Sequence, residues 1–167
     1  MRLPPILAVL LSAPAAAVAQ LQTLELSFTG IECASCLDSL PARIQRLRGV
    51  ESARVDAAKK LLAVKFAGQN RIRLEQIRDA IEQDGTKVRD ASLTATGLLA
   101  EATPGDGRWL LLLPNGSQFE VSVDGGPPSV QYALKPGRVA VAGLIGQVRP
   151  AAGPMIIAVK SIEAVDR

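Results

Sequence analysis

Cys33 and Cys36 are the only two cysteines in the 167-residue chain, and Ala34 and Ser35 separate them. A Cys-x-x-Cys pair can exchange thiol for disulfide, complete a zinc site or hold a soft metal ion. No histidine is present, which removes the commonest catalytic base and the commonest zinc ligand. A purely structural disulfide would close a very small loop and restrict little of the unfolded chain. Two thiolates on an exposed loop can instead bind an ion such as Cu(I) with few ligands, leaving it open to thiolates of another protein.

The flanking residues predict how that loop is carried. Leu24, Leu26 and Phe28 alternate with polar residues as in a half-buried strand, and Gly30 ends the strand. Leu37, Leu40, Ile44 and Leu47 recur at helical spacing up to Gly49. Both sulfurs therefore fall near the start of a helix, where free N–H groups and the dipole favour thiolate. Pro41 lacks a backbone donor, so the alternative is a helix that starts late, with Asp38 or Ser39 as N-cap and Cys36 ahead of it. Strands are predicted over 50–55 and 62–66, a second helix over 71–83 capped by Gly85, and a last strand over 87–93. The order βαββαβ defines an α+β, ferredoxin-like domain over residues 20–93.

In front of it, Arg2, the apolar run 6–11 and the small-x-small sequence Ala17-Val-Ala19 form a secretory signal peptide over 1–19, cut after Ala19. The alternative is an uncleaved anchor. Cleavage removes Arg2 and takes the net charge from +3 to +2. A periplasmic or secreted protein with no membrane attachment after cleavage is expected, since no later apolar run is long enough to span a bilayer.

Residues 94–167 carry a different rhythm. Gly and Pro become frequent, and strands are predicted over 109–113, 118–123, 130–134, 139–147 and 155–165, with Asn115-Gly116 as a hairpin signal. Such a run of short strands predicts a small β-barrel. Six basic residues (Arg108, Lys135, Arg138, Arg149, Lys160, Arg167) balance six acidic ones (Glu101, Asp106, Glu120, Asp124, Glu163, Asp166). A neutral barrel with only Trp109, Phe119 and Tyr132 as aromatics lacks the electrostatic and stacking contributions that nucleic-acid binding needs. Trp109 is read as packing, and the barrel as a docking or scaffold domain.

Residues 23–88 resemble the heavy-metal-associated domain of copper chaperones, metal-exporting P-type ATPases and the periplasmic mercury-binding protein. Gly30-Ile-Glu-Cys33-Ala-Ser-Cys36 resembles that family's Gly-Met-x-Cys-x-x-Cys, and Leu40, Ile44, Gly49-Val50, Val64, Phe66, Ile77, Ala80-Ile81 and Gly85 fall at its core and turn positions. The resemblance implies Cys33 and Cys36 as metal ligands. Ile31 stands where the family has Met, and it can pack similarly. Glu32 puts a carboxylate beside the first sulfur, as in members specialised for zinc, lead or cadmium; a solvated loop side chain is the other reading. Thr86 replaces the aromatic of ATPase-type members and the Lys of many copper chaperones, and Lys87 lies one position further on. Residues 137–148 and 154–163 resemble the closing strands of oligonucleotide/oligosaccharide-binding (OB-like) barrels.

The expected function is non-enzymatic: sequestering or delivering Cu(I), Hg(II) or Zn(II)/Cd(II) outside the cytoplasm, with a metal-transfer protein as partner. A thiol–disulfide redox protein and an interaction module acting through the barrel are the alternatives.

Overall fold

A computed structural model describes residues 20–30, 33–146, 148 and 153–165. The segment 1–19 expected to be a signal peptide, together with Ile31, Glu32 and Arg149, lies outside the described residues. The first unit consists of β1 (Gln20–Thr29), α1 (Ala34–Gln45), β2 (Val50–Asp56), β3 (Leu61–Phe66), α2 (Leu74–Glu82) and β4 (Lys87–Glu101). Its strands pair antiparallel in the order β2-β3-β1-β4, with Leu24 opposite Val64 on one side and Leu93 on the other. This is the expected ferredoxin-like arrangement. Leu24, Leu26, Phe28, Leu62, Val64 and Phe66 are buried together with Leu40 and Ile44 of α1 and Leu74, Ile77 and Ile81 of α2. Each fully buried aliphatic side chain contributes about 1.5–3 kcal/mol, so this face holds both helices to the sheet.

Strand β4 departs from expectation. It continues to Glu101 rather than ending at Leu93, so the boundary drawn between residues 93 and 94 falls inside a single strand. The ladder with β1 runs as far as Thr96, and from Leu98 to Glu101 β4 pairs with β5 (Trp109–Leu112). Along 91–99 its other edge pairs with β7 (Gly137–Ile145). Gly97 sits where β5 takes over from β1. A Cβ there would lie 2.8 Å from both Leu111 Cδ1 and the Leu112 carbonyl oxygen, so only glycine lets the two strands come this close.

With β6 (Gln118–Ser122) and β8 (Met155–Ala164), these strands close a five-stranded barrel in the order β4-β5-β6-β8-β7 and back to β4. The β6–β8 ladder is parallel and the others are antiparallel. The strand expected over 130–134 is instead part of a short helix, α3 (Pro128–Ala133). Pro127 and Pro128 cannot donate to a ladder, and Pro at the first helical position has its φ already set for a helix. Val130 of α3 is buried while Tyr132 is 81% exposed. Their two-residue spacing imitates a strand, but one turn of helix satisfies it equally.

The two units share one hydrophobic cluster, extending from Leu24 and Ile77 to Phe119 and Ile157. Polar contacts also cross between them. Asn115 of the β5–β6 turn donates to the Ile72 carbonyl at 2.6 Å, and Arg78 of α2 donates to the Val148 carbonyl at 3.4 Å. No helix of the described residues is long and apolar enough to cross a membrane.

Candidate metal centre

The loop carrying the cysteines leaves β1 through Gly30, whose φ of +94° is readily adopted only by glycine. A Cβ at this position would also lie 3.1 Å from the Gly85 carbonyl oxygen, so the loop starts hard against the α2–β4 turn.

Helix α1 begins at Ala34 with Cys33 as its N-cap. The late-start alternative raised by Pro41 does not occur: Pro41 lies inside the helix and Cys36 in its first turn. Pro41 removes the N–H that would have bonded the Leu37 carbonyl. Burial of Leu40 and Ile44 on either side of it holds the helix together despite that loss. The Ser39 hydroxyl donates to the Cys36 carbonyl at 3.0 Å, so the first turn is further tied by a side chain.

The Cys33 sulfur takes the role usually filled by a capping oxygen, accepting the Cys36 amide N–H at 3.2 Å. Ser35 Oγ lies 3.0 Å from the same sulfur. No acidic residue occupies the first turn of α1, so no neighbouring carboxylate on the helix competes for its positive end. Cys33 is exposed, Cys36 is half-buried, and both are free thiols.

The expectation that both sulfurs become more acidic holds for only one. Hydrogen bonds from the Cys36 side chain, the Ser35 hydroxyl and the Cys36 amide push the Cys33 thiol below its ordinary value. Cys36 is pushed up, first by its hydrogen bond to Cys33, then by partial burial and by the negative charge on Cys33. The site therefore pairs a more acidic thiol, Cys33, with a less acidic one, Cys36.

Around the pair, Thr86 is buried at 1% exposure, and its hydroxyl turns to Asp84 at 2.6 Å. Arg43 of α1 bonds the other oxygen of Asp84 at 2.9 Å. These contacts hold the Asp84 carboxyl below its usual range, the Thr86 hydroxyl contributing most. Lys87 is exposed and pairs with Thr29 in the β1–β4 ladder. Sequence reasoning had not singled out Ser35, Arg43 or Asp84. A hydroxyl between the two cysteines and an Asp two residues before a Thr across Gly85 were the available signals. Among the described residues no group of three or more Cys, Asp or Glu is arranged to hold a metal ion.

Comparison with known proteins bears on residues 25–87, which match the heavy-metal-associated domain. The copper chaperone CopZ of Staphylococcus haemolyticus (strain JCSC1435) is 35% identical over 60 residues, covering 36% of this chain and 87% of that protein. Among solved structures, a CopZ metallochaperone aligns with 26% identity and a TM-score of 0.37 over 40% of this chain and 97% of its own. A copper binding domain from HMA7, a P-type ATPase, aligns with 28% identity and a TM-score of 0.37 over 43% of this chain and 92% of its own. The family match stops at the start of β4 and leaves the barrel outside it. Through this first unit the chain belongs to the heavy-metal-associated domain family.

Proposed function

We propose that the protein is an exported, non-enzymatic carrier that binds Cu(I) between Cys33 and Cys36 and passes it to thiolates of a partner protein. The observation that carries this reading is the sulfur pair itself. One accessible sulfur is already biased towards thiolate by a helix N-terminus and a hydroxyl, and a second lies beside it. Soft thiolate ligands suit Cu(I), which accepts few of them, whereas structural zinc asks for four. Hg(II) satisfies the same two-sulfur chemistry; Zn(II) or Cd(II) would need ligands beyond this pair. The likeness to a copper chaperone adds weight to Cu(I).

Transfer then needs no change of oxidation state. An incoming thiolate bonds to the ion, one metal–sulfur bond to this chain breaks, and the released sulfur takes up a proton. Cys36 holds its proton more firmly and is the natural first leaving group. The composition of residues 1–19 supports export to the periplasm or beyond. We read the five-stranded barrel as OB-like, and as a scaffold for docking rather than a nucleic-acid reader on account of its balanced charge.

The test is direct. Wild-type protein should hold one Cu(I) against a chromophoric Cu(I) chelator under anaerobic conditions, and the C33S/C36S double variant should hold none. Equal uptake by both proteins would reject the proposal. A more acidic thiol beside a less acidic one also suits a second reading, a thiol–disulfide protein. That reading requires turnover on a disulfide substrate, which a metal carrier lacks.

A further inference from the structure

The metal loop has two ends: Gly30, packed on the Gly85–Thr86 turn, and Cys33, which opens α1. One carboxylate bridges the elements that hold those ends. Asp84 Oδ1 accepts the Thr86 hydroxyl at 2.6 Å and the Thr86 N–H at 3.4 Å, which shapes the turn behind Gly30. Asp84 Oδ2 accepts Arg43 Nη2 at 2.9 Å, reaching across to α1. Both charged side chains are only 25% exposed, so water screens the pair less than it would at an open surface.

We infer that Asp84 is a positioning residue for the Cys33–Cys36 site, clamping α1 to the turn that backs the loop through its bonds to Arg43 and Thr86. The inference rests on the metal-carrier reading and assigns no ligand role to Asp84. Two sulfurs supply all the bonds to the ion, so their separation and direction set how firmly it is held. Groups that orient ligands from behind typically change metal affinity about 10–100-fold when removed.

A clamp and a bare charge predict opposite results. If Asp84 acted only through its field, removing its charge would favour the thiolates and tighten Cu(I), while removing Arg43 would weaken it. A clamp weakens binding when either partner is lost, and losing both costs little more than losing one.

The experiment is Cu(I) competition with a chromophoric chelator on the full chain. Asp84→Asn and Arg43→Met should each weaken binding about tenfold. The double variant should match the single ones, and Arg43→Lys, which keeps the single charged bond, should stay near wild type. Amide hydrogen exchange at Cys36 in metal-free protein gives a readout independent of copper. It should quicken in Asp84→Asn and Arg43→Met but not in Arg43→Lys. Tighter binding by Asp84→Asn, or unchanged affinity and exchange in all variants, overturns the clamp. A wild-type protein that ignores Cu(I) rejects the carrier reading, and exchange at Cys36 then decides the clamp alone.

Discussion

The Cys36 amide N–H points at the Cys33 sulfur from 3.2 Å, so one cysteine caps the helix turn on which the other is mounted. This asymmetry has a measurable pH consequence. Cys33 is lowered from 9.0, mainly by the Cys36 side chain, and Cys36 is raised from 9.0, mainly by Cys33. The thiolate is the nucleophile. As pH rises in the metal-free protein, Cys33 therefore becomes reactive first, below 9.0, and Cys36 only above it. Iodoacetamide labelling read by peptide mass should give single adducts at Cys33 through the lower part of that range. Replacing either cysteine with Ala should move the remaining one back towards 9.0, downwards for Cys36 and upwards for Cys33. Equal labelling of both sulfurs with one shared midpoint would contradict the hydrogen-bond assignment.

Much of the first unit was legible in the sequence because its buried faces follow simple periods. The two-residue alternation through Leu24, Leu26 and Phe28 and the three-and-four spacing of Ile77, Ala80 and Ile81 match the buried positions. Pro41 raises a late start as an alternative because its local cost is about 3 kcal/mol in a helix interior, a cost that leaves out the burial of Leu40 and Ile44 beside it. Tertiary packing decided that helix start. The clamp at Asp84 was illegible for another reason: Arg43 and Asp84 are 41 positions apart, and no local pattern joins them. In the second half, Val130 and Tyr132 alternate like strand residues, yet a six-residue helix is too short for any periodicity to separate the two. The length of β4 is not legible locally, because the strand runs on past Leu93 while its partner changes from β1, which lies far away in the sequence, to β5.

Gly97 makes that joint testable. A methyl group added there would approach Leu111 Cδ1 and the Leu112 carbonyl to 2.8 Å and Leu113 Cδ2 to 2.9 Å. A leucine methyl can turn aside, but the Leu112 carbonyl belongs to the backbone of β5 and moves only if the strand does. Replacing Gly by Ala ordinarily stabilises a compatible position by about 0.4–1 kcal/mol through the unfolded chain. Here overpacking of about 1–3 kcal/mol should outweigh that gain. Urea unfolding of Gly97→Ala should show a lower midpoint than wild type. Gly68→Ala, where the added Cβ meets nothing within 4 Å, serves as the control and should be near neutral. A Gly97→Ala protein as stable as wild type would show that β4 and β5 have room to spare.

The same strand sets how the molecule comes apart. Two domains joined by a linker would melt separately, each around its own core. Here residues 91–96 of β4 are bonded to β1 on one edge and to β7 on the other, and the buried side chains form one cluster across both units. Unzipping the barrel removes a neighbour from the strand that the ferredoxin-like sheet needs. Unfolding the sheet likewise strips β1 from the strand that closes the barrel. Trp109 is the only tryptophan and lies on β5, so its fluorescence reports the barrel, while far-UV circular dichroism near 222 nm is weighted towards α1 and α2. The two signals should lose amplitude at the same urea midpoint with the same slope. Separated midpoints would mean that the Asn115–Ile72 and Arg78–Val148 bonds and the shared strand couple the halves too weakly to make them one folding unit.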